Sequence, residues 1–384
     1  MSSTALGQPA AEPKNTMSGP RVQTQLQATR QAPGGQAVAD HLDHNVLLCP
    51  AAVAASLLAS QACAVGDTHQ QLVELLVKAG GKLEHLQEAT LNALEAIEGD
   101  TANAEAALAY RMFVSRNLEV SEDCEQQLKS QLRCAVDRVS FHASSPEEVA
   151  EEVNGAFADG NPLIGEVLAP DAVDPAAKMV VASAFHYRGL LEPPFTRNPA
   201  KRRFRLRQDT YEILEFERSA GRFMHAEIED PVATKVLELP YRGGTASLLL
   251  LLPDRSRRLN DLRAKLTPAF LAKLYSLNRT LIHAGVKQAF MPSAAFTNLV
   301  PAAEVRLGDL LHKATLVLDE GGPAPTLPYD KLSKEEKLRV SILPSVRPAD
   351  VQFELIRPFI FVLRKTDDGC ILLVGVVKDL KMLQ

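Results

Sequence analysis

The amino-acid sequence predicts an α+β fold with large antiparallel sheets. Three observations carry this reading. Helical patterns cluster in the first half of the chain, strand patterns dominate the second, and the regular strand–helix alternation of a parallel sheet is missing. The chain has 384 residues, 46% hydrophobic and 23% charged, which is enough for a large core. Trp is absent and aromatic residues make up 5%, so Leu, Val and Ala must do most of the filling.

The elements follow in order. Residues 1–30 are polar and rich in Pro, Gly and Ser, so they are expected to be disordered or weakly ordered. They carry no apolar core of a secretory signal. Residues 31–384 are expected to form one domain. Residues 50–76 are rich in small side chains and then show helical spacing at Leu72, Leu75 and Leu76. The Ala/Ser-rich half suits a helix buried against a sheet, and Gly66-Asp67-Thr68 breaks it and caps the next helix. Residues 102–113 mix helix formers with an apolar end that leads into a strand. Residues 146–157 read as an amphipathic helix with an acidic first turn. The apolar run 179–184 suits a strand covered on both faces.

Beyond residue 230 the signals are mostly β. Segments 235–240 and 247–252 flank Tyr241-Arg242-Gly243-Gly244, a hairpin signal. Residues 259–277 read as helical, with apolar positions at Leu262, Leu266, Phe270, Leu271 and Leu274. Residues 312–319 alternate as a strand. Two further strands, 358–363 and 371–377, are joined by a turn at Asp367-Asp368-Gly369.

Composition excludes several functions. A net charge of −5 argues against a dedicated nucleic-acid binder. No segment approaches the ~20 apolar residues of a membrane span. The five cysteines, Cys49, Cys63, Cys124, Cys134 and Cys370, are odd in number, widely spaced and free of CxxC. This argues against a zinc site or a disulfide framework. Cys124 and Cys134 are the one pair close in sequence. His41-Leu42-Asp43-His44 has metal-binding residue types, but nothing nearby completes a site. There is no GxSxG elbow, P-loop or HExxH, so no enzyme and no cofactor are expected.

Several segments, in order, carry a resemblance. Asn45-Val46-Leu47-Leu48-Cys49-Pro50 and Gly66-Asp67-Thr68 are followed by Ser183-Ala184-Phe185-His186-Tyr187-Arg188-Gly189. Then come Leu237-Glu238-Leu239-Pro240-Tyr241 and Leu251-Leu252-Pro253-Asp254. His312-Lys313-Ala314 leads into Asp319-Glu320-Gly321-Gly322. Arg357-Pro358-Phe359-Ile360-Phe361 and Gly369-Cys370-Ile371-Leu372 close the series. Together these resemble the serpins, the serine-protease inhibitor family, over residues 38–379. The resemblance implies a large mixed sheet, two smaller sheets, about eight helices and an exposed reactive loop at about 322–350, in a monomer. It also places Cys49, Ser183 and His312 where that sheet opens, with His312 as a structural histidine. Cys49 replaces the family's usual Ser, Ser183 its usual Asn and Leu191 its usual Trp. Ser293 stands where a Lys usually pairs with the hinge Glu, and the short stretch 293–311 implies a missing surface helix. Ile356 replaces a polar residue.

The resemblance also implies a mechanism. A protease cuts the loop, and the part N-terminal to the cut inserts as a new central strand. The strain released traps the acyl-enzyme. The hinge here would be Glu320, Gly321, Gly322, Pro323 and Pro325, with Pro328 three residues on. Proline lacks the N–H that a central strand requires, so the chain is expected to be a substrate or a non-inhibitor. The alternative is a working inhibitor of a trypsin-like serine protease. Counting from the hinge places the cut near Lys337, close to Arg339. Counting back from Arg357 places it near Arg347, and the two disagree. A third reading is a binder of heparin-like polyanions through Lys201, Arg202, Arg203, Arg205 and Arg207 on one strand. The missing signal segment favours the cytoplasm, and the family resemblance favours the exterior.

Overall fold

The computed structural model describes residues 15–20, 45–80, 82–99, 104–142, 144–172, 174, 176–192, 196–207, 210–221, 223–229, 232–254, 259, 281–282, 284–319, 352–367 and 369–378. Strands β1 (Asn15–Pro20) and β2 (Val46–Leu48) precede helices α1 (Pro50–Cys63), α2 (Gly66–Gly80) and α3 (Leu83–Gly99). β3 (Ala104–Ser115), α4 (Glu122–Leu132), β4 (Ala135–Val139), α5 (Pro146–Gly160) and β5 (Met179–Leu190) follow. The second half holds β6 (Thr196–Arg207), β7 (Thr210–Gly221), β8 (Met224–Ile228), β9 (Thr234–Pro240) and β10 (Ala246–Pro253). β11 (Asp309–Asp319), β12 (Gln352–Glu354), β13 (Phe359–Lys365) and β14 (Ile371–Val377) complete it.

Three sheets result. A mixed sheet runs β11-β5-β3-β4, an antiparallel one β2-β14-β13-β10-β9-β8, and a second four-stranded one β12-β1-β7-β6. Among the described residues the antiparallel sheet therefore has the most strands, and the mixed sheet has four. Residues 284–308 run as turns around a 3-10 turn at Gln288–Phe290 and add no strand to it.

The mixed sheet is the middle layer. Met179 and Val181 of β5 pack with Val53, Leu57 and Leu58 of α1. Val180, Ala182 and Ala184 point the other way and pack with Val149, Val153 and Phe157 of α5. Cover on both faces is why this strand reads as a continuous apolar run. Ala and Ser make up most of the buried residues of α1, beside Val53, Leu57, Leu58 and Cys63, so the helix lies close under the sheet. Its Ser56 and Ser60 hydroxyls, both buried, donate to the carbonyls of Ala52 and Ser56 in their own helix. α5 begins with a full capping box, Ser145 and Glu148 each bonding the other's backbone, which fixes its start.

One expectation needs correction. Residues 104–115 form strand throughout, although Ala and Leu favour helix. Pairing with β5 on one side and β4 on the other outweighs that weak preference. Within the segment expected to lack order, Asn15–Pro20 pairs along β7 and, in parallel, with β12. The β7 edge offers backbone groups that an extended polar segment can satisfy. The hairpin at Tyr241-Arg242-Gly243-Gly244 turns through positive φ at Gly243 (86°) and Gly244 (69°), the region glycine tolerates. The helix expected at 259–277 lies outside the described residues apart from Leu259.

Candidate functional site

The site is the seam between β5 and β11. These strands pair in parallel from Asp309 opposite Val180 to Asp319 opposite Leu190. The sheet is closed along that whole length. His312 sits directly across from Ser183, and both side chains turn toward the α1 face.

Three hydrogen bonds tie this point together. The Cys49 N–H, at the start of α1, donates to His312 Nε2 at 3.0 Å. His312 Nδ1 lies 3.0 Å from Ser183 Oγ, and Ser183 Oγ lies 3.3 Å from the Leu311 carbonyl oxygen, to which it donates. A backbone N–H can only donate, so Nε2 must be the acceptor and the ring proton must sit on Nδ1. The chain then runs in one direction: Cys49 N–H to His312, His312 N–H to Ser183, Ser183 O–H to Leu311. Each donor has one acceptor. Burial pushes the imidazole down to about 3, and a second ring proton would face the Cys49 N–H donor to donor. His312 is therefore neutral and structural.

Cys49 contributes through its backbone. It occupies the position before α1 with extended backbone and no side-chain cap bond. Burial pushes its thiol up to about 12, so it is protonated and a poor nucleophile at neutral pH.

At the upper end of the seam the fit is tight. A Cβ on Gly189 would stand 2.6 Å from the Tyr241 ring, so glycine is required for close approach. Tyr241 meets Tyr187 edge-on at 5.3 Å and bridges Leu191.

Glu320, Gly321, Gly322, Pro323, Pro325, Pro328, Lys337, Arg339 and Arg347 lie outside the described residues, as does His41-Leu42-Asp43-His44. Ser293 is exposed, and its carbonyl and hydroxyl oxygens accept from the Gln288 side chain at 2.9 and 2.8 Å. Lys201, Arg202, Arg203, Arg205 and Arg207 lie on β6, where Arg203 is exposed and Phe204 is fully buried. Glu215 of β7 is the register partner of Lys201. Among the described residues no group of three or more His, Cys, Asp or Glu could hold a metal. No helix there is long and apolar enough to cross a membrane.

One thiol contact has no counterpart in the sequence patterns. Cys124 meets Cys63 at 3.6 Å between sulfurs, whereas proximity along the chain pointed to Cys134. Sixty-one residues separate the pair, and no local pattern marks it.

The serpin family model, described as serine protease inhibitor, matches residues 35–276 and 269–380. The chain belongs to the serpin family. Among curated relatives it is 24% identical to Iris of Ixodes ricinus over 360 residues, 88% of this chain and 92% of that one. Its fold resembles uncleaved ovalbumin, with a TM-score of 0.68 at 21% identity over 88% of this chain and 94% of that one. It also resembles thyroxine-binding globulin in complex with thyroxine, with a TM-score of 0.69 at 16% identity over 88% and 93% of the two chains. Serpins are generally protease inhibitors rather than catalysts, and this serpin's mixed sheet is closed between β5 and β11.

Proposed function

We propose that this serpin keeps the family's fold without its trap, and meets trypsin-like proteases as a substrate or serves as a non-inhibitory binding protein. The observation that carries the reading is Pro323, Pro325 and Pro328 in the first residues past Asp319. A trap requires that segment to enter between β5 and β11 and bond to both. Those two strands now satisfy each other along eleven paired positions, so an entering strand must replace every bond it breaks. Each proline brings no N–H, and each unmatched buried carbonyl costs roughly 1–3 kcal/mol. Three such positions make insertion less favourable by on the order of 3–9 kcal/mol. Slower insertion leaves the protease time to hydrolyse the ester and depart.

The test is incubation with trypsin at near-equal molar ratio, followed by a denaturing gel and a melt of the cleaved protein. The expected result is clean cleavage between residues 331 and 347, no band at the combined mass and no gain in Tm. A covalent band that survives denaturant would sink the proposal and restore the inhibitor reading.

A further inference from the structure

Cys63 is the last residue of α1, and Cys124 lies in the first turn of α4, where its N–H donates to the Ser121 hydroxyl oxygen. Their sulfurs are 3.6 Å apart, with the Met112 sulfur 4.0 Å from that of Cys63. Both are free thiols and both are buried, Cys63 at 0% exposure and Cys124 at 6%. A disulfide needs about 2.05 Å between sulfurs, so a small side-chain movement separates contact from bond. Cys134 is the competing thiol, but its sulfur points to the Ala135 carbonyl oxygen at 3.6 Å.

The two thiols are not equivalent. The hydrogen bond between them lowers the Cys124 thiol and, together with burial, raises that of Cys63. Cys124 is thus the more acidic thiol of the pair, held at a helix N-terminus, with Cys63 as its hydrogen-bonded neighbour. A cavity of about 280 Å³ opens between the same helices, lined by Leu58, Gln61 and Ala62 on one side and Gln127, Gln131 and Leu132 on the other. The cavity reaches Ala62, next to Cys63, but neither Cys63 nor Cys124 lines it.

We propose that Cys63 and Cys124 are a modification site for peroxide-class oxidants, which join them in a disulfide that staples α1 to α4. Cys124 sulfur attacks one peroxide oxygen, the S–O bond forms, the O–O bond breaks, and the departing hydroxide takes a proton to leave as water. Cys63 sulfur then attacks the sulfenic sulfur of Cys124. The S–S bond forms, the S–O bond breaks, and the hydroxyl leaves as water with the Cys63 proton. Two thiols lose two electrons in all, and one hydrogen peroxide becomes two waters. The consequence reaches the seam. α1 begins at the Cys49 N–H that holds His312, and the staple fixes its opposite end. The inference rests on the fold alone and stands whether or not the loop inserts.

The full-length protein is treated with stoichiometric hydrogen peroxide, denatured, alkylated and digested without reduction for mass spectrometry. The expected result is the loss of two of five alkylatable thiols, a peptide linking Cys63 to Cys124, and a Tm higher by about 5 °C that a thiol reductant reverses. Full alkylation of both cysteines would overturn the proposal, as would a Cys124–Cys134 link, a link between chains, or sulfinic acid without a link. In Cys63→Ser, Cys124 lacks its partner, and a dimedone-type reagent should trap its sulfenic acid. If that variant does not fold, the untreated and treated native chains still decide the matter.

Discussion

The seam around His312 and the segment after Asp319 both depart from the family pattern, with opposite consequences. At the seam, Cys49 and Ser183 stand where the resemblance implies Ser and Asn, and each donor reaches an acceptor. The Cys49 bond is made by the main chain, which any non-proline residue supplies. The Ser183 hydroxyl both accepts and donates, so it passes the bond onward much as an amide can. After Asp319 the changes fall on the main chain itself. Pro323, Pro325 and Pro328 remove three N–H groups, and no side chain returns a ladder bond to a central strand. Side-chain exchange is cheap where the backbone carries the bond, and backbone loss has no local remedy.

The largest expected effect comes from undoing that loss. Replacing Pro323, Pro325 and Pro328 together with Ala should recover on the order of 3–9 kcal/mol of insertion energy. Cleaved triple-variant protein should then melt well above the uncleaved form, whereas the parent should show no such gain. An equal gain in the parent would mean that prolines enter this sheet without penalty, and the contrast between the two regions would collapse.

Next in size is His312→Ala. It strands the Cys49 N–H and leaves Ser183 without its donor, at about 1–3 kcal/mol for an unmatched buried group, with a further loss for the space left by the ring. Urea unfolding at neutral pH measures it. The parent should also weaken in acid. His312 titrates near 3 when folded and near 6.5 when unfolded, so between those values the unfolded chain holds the extra proton. Its contribution is present above about pH 6.5 and is lost as pH falls toward 3, by on the order of 1 kcal/mol per unit. His312→Gln should flatten that part of the slope. An unchanged slope would assign the acid sensitivity to other groups.

This contrast also marks how far the sequence was legible. Strands β5, β9, β10, β13 and β14 were readable because burial on both faces, or a glycine turn between two apolar runs, leaves a local pattern. β3 was not, because its alanines are chosen by neighbouring strands and helices rather than by its own propensity. Cys49, Ser183 and His312 were linked through ordered motifs in three distant segments. The direction of their proton chain needed coordinates, since it depends on which ring nitrogen meets the Cys49 N–H. The Cys63–Cys124 contact left no trace in sequence, because two helix ends meet there across a gap of 61 residues.

The smallest effect sharpens the comparison most. If Cys49 acts through its N–H, then Cys49→Ser, which restores the family's usual residue, should change stability by less than about 1 kcal/mol. The His312 bond would be untouched, and the new hydroxyl sits before α1, where Ser commonly caps a helix. Opposing this is the burial of a hydroxyl in place of a thiol that is fully enclosed, which costs little only if the oxygen finds a donor. Matched urea curves and an unshifted acid slope are the expected outcome. A loss of several kcal/mol would show that the thiol's packing, and not the backbone bond, holds this end of α1 against the seam.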